Sequence, residues 1–228
     1  MPEGRTEAPR RVRAARLAGL YALTPDVSDS AALAAKVAAA LAGGAAAIQY
    51  RNKSAPDALR GEQARLLAGL CASRGALFIV NDDVGIAYDV GADGVHIGED
   101  DGGIARARAM LGPDRLIGVS CYNEWERAQR AIDAGADYVA FGSFFASTTK
   151  PDARRADPSL LARAASLCVP VVAIGGITSA NAATLIDAGA TAVAVIGDVF
   201  GHDELSAIER AAAAIAAQFA KRAVSMQP

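Results

Sequence analysis

Short apolar runs recur along the chain and are separated by longer segments of helix-like composition. Eight of these runs have the length of a β-strand, and they occupy residues 17–23, 45–50, 77–80, 94–97, 116–119, 138–141, 169–174 and 192–196. The alanine-rich segment 29–42 suits a helix between two of them. Because nearly continuous apolar strands alternate with helices, the pattern predicts a parallel sheet that is covered on both faces.

Several helix-like segments end in a glycine between two small residues, directly before an apolar run. Gly91, Gly135 and Gly189 stand in this position. A glycine there suits a left-handed helix cap that leads into the next strand. Eight such units favour one closed (β/α)8 barrel, the TIM-barrel type of α/β domain. An open doubly wound sheet is the alternative, but no GxGxxG turn follows the first strand.

Composition limits the partners of this predicted barrel. The chain has 228 residues, is 52% hydrophobic and carries a formal net charge of −2. A single large core fits these values, whereas nucleic-acid binding calls for a basic face. No stretch has the roughly 20 apolar residues of a membrane helix. We therefore expect small-molecule partners, no nucleic acid and no membrane, while a homo-oligomer is compatible with the sequence.

The cysteines and the chain ends indicate location. Cys71, Cys121 and Cys168 are widely spaced without a CxxC pair, which disfavours disulfides and zinc and favours a reducing cytoplasm. Residues 1–16 are rich in arginine and lack the apolar core of a signal peptide. We expect a disordered tail there, with a transit peptide or a phosphate-touching arm as alternatives, a barrel domain over residues 17–222 and a second tail at 223–228.

Cationic side chains follow the second predicted strand, in the sequence Gln49-Tyr50-Arg51-Asn52-Lys53. The residues after each strand of such a barrel gather at its catalytic face. Gln49, Arg51 and Lys53 share one face if the strand period persists. Arginine offers a planar fork to phosphate oxygens and lysine a movable charge. A solvated charged loop is the alternative interpretation.

Acidic stretches follow the third and fourth strands. They read Asn81-Asp82-Asp83 and Glu99-Asp100-Asp101. Carboxylates from neighbouring strand ends converge on one rim, where one or two of them can hold Mg²⁺ against substrate phosphates. Helix capping is the alternative for Asp83 and Asp101, and we expect it for Asp83. His96 lies within a strand and is expected to be a hydrogen-bonded core residue.

Polar and glycine residues follow the remaining strands. Ser120 follows the fifth strand, and Ser147, Thr148, Thr149 and Lys150 follow the sixth as a compact anion site or an ordinary polar loop. Gly175-Gly176 and Gly197 follow the last two strands, where backbone N–H groups of these barrels bind phosphate, although tight turns would also need glycine. A Schiff-base role for Lys150, as in an aldolase, is a further alternative.

Taken together, these motifs resemble the thiamine phosphate synthase family. The resemblance runs from about Leu20 to Phe200, and the order and spacing of the loops are jointly specific. Asp82 and Asp101 lie 19 residues apart, as the two magnesium ligands of the family do. The motifs that carry the resemblance are residues 49–53, 81–82, 94–101, 147–150 and 173–177.

The resemblance implies a transferase that joins a pyrimidine methyl diphosphate to a thiazole phosphate and releases diphosphate. Arg51, Lys53, Lys150 and Ser120 would be its catalytic residues. Mg²⁺ would be held by Asp82 and Asp101. The pyrimidine diphosphate would be bound by Gln49, Tyr50, Arg51, Asn52, Lys53, Asn81, Ser120 and Lys150, and the thiazole phosphate by Ser147, Thr148, Thr149, Gly176, Ile196 and Gly197.

Some positions depart from the family pattern. Glu99-Asp100 stands where Gln-Glu is usual, Ser147 replaces a threonine, and Gly197 replaces a frequent serine. Altered affinity is expected rather than lost activity. Two rival functions remain at this stage. One is a thiazole tautomerase, which would be expected to carry a histidine directly after the fifth strand, where this chain reads Ser120-Cys121-Tyr122-Asn123. The other is a non-catalytic phosphate-binding regulatory barrel.

Overall fold

Eight parallel strands close into a barrel. The computed structural model describes residues 7–98, 103–146 and 154–225. Each strand pairs with its sequence neighbours, and the last pairs with the first, for example Leu20 with Val193. The strands are β1 Gly19–Leu23, β2 Ala47–Tyr50, β3 Leu77–Asn81, β4 Gly94–Ile97, β5 Leu116–Tyr122, β6 Tyr138–Phe141, β7 Val171–Ile174 and β8 Ala192–Val195. The predicted barrel is confirmed, and the open-sheet alternative is wrong.

Helices follow the strands and cover the barrel from outside. They are α1 Glu7–Ala15, α2 Ser30–Ala42, α3 Asp57–Ser73, α4 Val84–Asp89, α5 Gly103–Leu111, α6 Trp125–Asp133, α7 Ser159–Ala164, α8 Ala182–Asp187, α9 Gly197–Phe200 and α10 Leu205–Ser225, with a 3₁₀ helix at Ala165–Leu167. The predicted positions of the strands agree with these bounds to within three residues. The largest difference is in β5, which extends to Tyr122 with a register shift between Ser120 and Tyr122.

Strand side chains alternate between two apolar layers. In β1, Tyr21 and Leu23 point into the barrel, whereas Leu20 and Ala22 pack against the surrounding helices. The inner layer also contains Leu77, Ile79, Leu116, Tyr138 and Val172. Because both faces of every strand are buried, the strands read as continuous apolar runs rather than as alternating patterns. Polar side chains inside the barrel therefore stand out.

Helix α1 packs under the amino-terminal ends of the strands. Ala14 belongs to the inner apolar layer, and Arg10 Nε lies 2.8 Å from Asp137 Oδ1 just before β6. Arg13 Nε lies 3.4 Å from Asp93 Oδ1 just before β4. The predicted disordered tail is therefore wrong for residues 7–15. The arginines of this segment predicted a chain exposed to solvent. They instead pair with carboxylates that only the closed barrel brings together, at the amino-terminal ends of the strands.

The three cysteines differ in their exposure. None of them forms a disulfide, and Cys71 and Cys121 are buried whereas Cys168 is exposed. Burial raises the pKa of both the Cys71 and the Cys121 thiol to about 12. Within the described ranges, no helix is long and apolar enough to cross a membrane.

Candidate active site

The loops after β1 and β2 are tied together at the carboxyl-terminal rim. Thr24 is fully buried, and its Oγ1 accepts the Arg51 N–H at 2.9 Å and donates to the Arg51 carbonyl oxygen at 2.9 Å. Asp26 Oδ1 accepts the Lys53 N–H at 3.1 Å and lies 3.4 Å from Arg51 Nη1. These contacts hold the backbone of both cationic residues, so that their side chains leave the rim from defined positions.

A buried amide network supports the same loop from outside the barrel. Gln63 of α3 is fully buried, and its Oε1 accepts the Tyr50 hydroxyl at 2.9 Å and Asn52 Nδ2 at 3.1 Å. Gln63 Nε2 and Asn52 Nδ2 both donate to the Val27 carbonyl oxygen. Burial raises the pKa of Tyr50 to about 12, so its hydroxyl remains a donor at neutral pH. The polar groups of Tyr50 and Asn52 therefore form hydrogen bonds within the protein.

Asp82 occupies a special backbone conformation at the end of β3. Its φ of 64° lies in the left-handed region, which aspartate tolerates better than most residues. Its N–H donates to the His96 carbonyl oxygen at 2.8 Å, and its Oδ2 lies 3.5 Å from Lys53 Nζ. The next residue, Asp83, accepts the Ile86 N–H at 2.9 Å and caps α4, as predicted.

These residues share a cleft that mixes cationic and acidic groups. Arg60 of α3, which the sequence did not single out, lies in it with Nη2 at 2.6 Å from Asp57 Oδ1 and 3.6 Å from Asp83 Oδ2. The hydrogen bond to Asp57 raises the pKa of Arg60, which remains charged. The lining of the cleft consists of Tyr50, Arg51, Asn52, Lys53, Arg60, Val80, Asn81, Asp82, Asp83 and Ile86.

A line of hydrogen-bonded side chains crosses the barrel interior below this rim. Gln49 Nε2 donates to the Tyr21 hydroxyl at 2.8 Å, and the Tyr21 and Tyr138 hydroxyls lie 3.1 Å apart. His96 Nδ1 is 3.1 Å from the Tyr138 hydroxyl, and His96 Nε2 is 2.9 Å from Ser120 Oγ. The predicted core role of His96 is confirmed. Gln49 and Ser120, both predicted site residues, form the two ends of the line.

The β7 loop meets the start of the β6 loop through glycines. Gly175 and Gly176 have φ values of 105° and 62°, and a Cβ at Gly176 would collide with the Ala146 carbonyl oxygen. The Phe145 N–H donates to the Gly175 carbonyl oxygen at 2.9 Å. Ala146, the last described residue before Ser147, therefore lies directly beside Gly176.

Beyond β8, Ile196 packs against the inner apolar layer and Gly197 begins α9. Asp198 Oδ2 accepts the Ser179 N–H at 2.8 Å and so joins this turn to the β7 loop. Among the described residues outside its own helix and chain neighbours, no atom lies within 4 Å of a Cβ built at Gly197. This part of the structure therefore has room for the serine of the family pattern given above.

The structure brings part of the predicted site together. Arg51, Lys53, Asn81 and Asp82 line one cleft, whereas Asp101, Ser147, Thr148, Thr149 and Lys150 lie outside the described residues. Sequence reasoning missed Thr24 and Asp26, although polar residues directly after β1 meet the same strand-end criterion. It also missed Gln63. Gln63 lies four positions before the apolar Leu67, and this spacing places both residues on the same buried face of α3.

A closed parallel barrel with cations, a rim carboxylate and glycine turns at its strand ends is typical of (β/α)8 enzymes that act on phosphorylated small molecules. The family model described as thiamine monophosphate synthase matches residues 20–199. The chain belongs to this family, as the sequence motifs predicted.

Individual relatives agree with the family assignment. A thiamine-phosphate synthase of Chromobacterium violaceum is 56% identical over 198 residues, which cover 87% of this chain and 96% of that protein. A thiamine-phosphate synthase of Azoarcus sp. is 58% identical over 186 residues, covering 81% and 90%. Among solved structures, a thiamine phosphate pyrophosphorylase from Pyrococcus furiosus has a TM-score of 0.80 at 34% identity and covers 91% of this chain and 98% of its own.

Proposed function

We propose that this chain is a transferase that joins the methylene carbon of an aminopyrimidine methyl diphosphate to the ring nitrogen of a thiazole phosphate. The products are thiamine monophosphate and diphosphate. Membership of the thiamine monophosphate synthase family over residues 20–199 is the observation that carries the proposal. The tautomerase and regulatory alternatives gain no support from the similar proteins, which are named as thiamine-phosphate synthases or as a thiamine phosphate pyrophosphorylase.

Departure of diphosphate is the step that this rim is suited to assist. An electron-rich aminopyrimidine stabilises positive charge on its methylene carbon when the C–O bond breaks. Catalysis then mainly requires neutralisation of the leaving group. Arg51 and Lys53 supply cationic donors, and their backbones are held by Thr24 and Asp26. We assign Lys150 and Ser120 to the same diphosphate, and Asn81 and Gln49 to the pyrimidine substrate.

The donor set of the rim suits a hard divalent cation. Asp82 offers a partly exposed carboxylate beside Lys53, and Mg²⁺ commonly binds one or two carboxylates together with substrate phosphate oxygens and water. Asp101 would be the second carboxylate. Substrate phosphate oxygens and water would complete the coordination. Bound Mg²⁺ would add positive charge against the diphosphate.

The second substrate is held through its phosphate on the opposite side of the rim. We assign the backbone N–H groups of Gly176 and Gly197 to this phosphate, together with Ser147, Thr148, Thr149 and Ile196. Its ring nitrogen attacks the pyrimidine methylene carbon, so a protein nucleophile is unnecessary and positioning suffices. Tyr50 and Asn52 line the cleft where the pyrimidine diphosphate would bind, and their hydrogen bonds to Gln63 hold the Arg51–Lys53 loop.

The test is product formation by the purified chain. With both phosphorylated substrates and Mg²⁺, we expect release of diphosphate in equal amount to thiamine monophosphate. Omission of either substrate is the control. Binding of the thiazole phosphate without diphosphate release would contradict the proposal and favour a regulatory barrel. A cytoplasmic location and the oligomeric state stay predictions.

A further inference from the structure

The donors and acceptors of the line of hydrogen bonds across the barrel favour one direction. Gln49 donates its Nε2–H to the Tyr21 hydroxyl, which leaves the Tyr21 proton for the Tyr138 oxygen 3.1 Å away. The Tyr138 hydroxyl can then donate to His96 Nδ1 at 3.1 Å. With Nδ1 accepting, the neutral imidazole carries its proton on Nε2 and donates it to Ser120 Oγ at 2.9 Å.

Both tyrosines of the line carry their hydroxyl protons at neutral pH. Tyr21 and Tyr138 are almost completely buried, and burial raises the pKa of each well above its ordinary value. Both phenols therefore remain protonated and can donate. Packing supports the same arrangement, because the Tyr138 ring stacks on the His96 ring with centroids 5.5 Å apart and occupies the space that a side chain at Gly118 would need.

We propose that Tyr138 and His96 are positioning residues that hold the Ser120 hydroxyl as a hydrogen-bond donor toward the departing diphosphate. Ser120 Oγ accepts from His96, so its own proton is left to point to the rim. If the imidazole instead carried its proton on Nδ1, Nε2 would accept from Ser120 and the substrate would lose that donor. The assignment to the diphosphate rests on the function proposed above.

The tautomer can be measured on the free protein. The chain contains two histidines, His96 and His202, so ¹⁵N-histidine labelling gives two sets of ring nitrogen signals, and His202→Gln assigns them. In the unsubstituted protein we expect His96 to be neutral with its proton on Nε2. In Tyr138→Phe, which keeps the stacked ring but removes the donor to Nδ1, we expect a mixture of both tautomers.

Tyr21→Phe tests the same line one residue earlier. It removes the hydroxyl that donates to Tyr138 but keeps Tyr138 as a donor to Nδ1, so any shift of the His96 proton toward Nδ1 should be smaller than in Tyr138→Phe. Tyr50→Phe removes a buried hydroxyl in the outer layer and should leave the His96 signals unchanged. Circular dichroism and thermal unfolding of each variant establish that it is folded.

Kinetic measurements distinguish a positioning role of Tyr138 from a purely structural role in packing. We expect Tyr138→Phe to lower kcat about tenfold with little change in KM, since a lost donor to developing charge acts on the transition state. In a Ser120→Ala background the same substitution should have no further effect, because the hydroxyl it orients is gone. An equal tenfold loss in both backgrounds would overturn the proposal, as would a His96 proton on Nδ1 in the unsubstituted protein. If the chain shows no synthase activity, the function proposed above fails, but the tautomer measurement still tests whether Tyr138 sets the protonation of His96.

Discussion

Lys53 Nζ and Asp82 Oδ2 lie 3.5 Å apart across the ends of β2 and β3. Both side chains are partly exposed, so the ion pair itself adds little to stability. Its significance is that it places a movable cation beside the carboxylate proposed for Mg²⁺. A diphosphate entering the cleft can meet both charges at once.

Asp82→Asn should remove magnesium-dependent turnover while preserving the fold. Asparagine tolerates the left-handed backbone at this position and keeps a similar shape, so only the negative charge is lost. We expect kcat to fall about 100-fold or more, the scale for losing a major electrostatic contact to the reaction. Steady-state kinetics over a range of Mg²⁺ concentrations check this.

Asp83→Asn is the adjacent control. Asparagine is as good an N-cap as aspartate, so helix α4 should keep its start. We expect less than about a threefold change in kcat, because Asp83 caps a helix. Equal losses in the two variants would argue against a specific metal ligand at Asp82.

The Gln63 network should influence activity through stability of the loop. Gln63→Leu removes the acceptor of the Tyr50 hydroxyl and the partner of Asn52, leaving buried polar groups unsatisfied. A loss of about 2–3 kcal/mol in the free energy of unfolding is expected. KM for the pyrimidine diphosphate should rise more than KM for the thiazole phosphate. Urea denaturation and kinetics with each substrate varied separately measure the two effects.

Substitutions of the glycines in the loops after β7 and β8 should have opposite effects. Gly197→Ser meets open space, so we expect an unchanged fold and an equal or lower KM for the thiazole phosphate through the added hydroxyl donor. Gly176→Ala meets the Ala146 carbonyl oxygen and has a left-handed φ, so it should lose activity and at least about 1–2 kcal/mol of stability. Tolerance of Gly176→Ala would contradict the close approach of the β6 and β7 loops.

The base of the barrel depends on Asp137. Its carboxylate lies 2.8 Å from Arg10 Nε, accepts Arg108 Nη2 at 2.6 Å and accepts the Ile117 N–H at 2.8 Å. Asp137→Asn should cost about 2–4 kcal/mol, since two arginines lose their counter-ion at a buried site. Asp133→Asn, at an exposed position of α6, should change the free energy of unfolding by less than about 0.5 kcal/mol. Chemical denaturation compares the pair.

Alkaline pH should destabilise the fold. Burial raises the pKa of Cys71 and Cys121 from 9.0 to about 12 and that of Tyr50 from 10.0 to about 12. The unfolded chain loses these protons first, so stability is complete below about pH 9 and falls as pH rises toward 12. Urea midpoints at pH 8 and pH 10.5 test this, and Tyr50→Phe should reduce the fall. A midpoint independent of pH over this window would contradict it.

Much of the fold and part of the site could be predicted because they depend on local pattern. Buried parallel strands are short and apolar throughout, and glycines mark the helix ends before them, so all eight strands were found. Arg51, Lys53, Asn81 and Asp82 were found because strand ends in a barrel share one rim. The family motifs added roles that spacing alone does not assign.

The remaining contacts depend on which distant residues meet. Arg10 and Asp137 are far apart in sequence, and only barrel closure turns an arginine-rich segment into helix α1 against the base. In the sequence, Gln63 is an isolated polar residue. It gains Tyr50 and Asn52 as hydrogen-bond partners only because α3 packs behind β2. Hydrophobic periodicity therefore specified the barrel and the strand ends, and the polar residues after each strand indicated the chemistry of the rim. The line of contacts from Gln49 to Ser120 was decided in three dimensions, because five strands must surround one buried space before those side chains can reach each other.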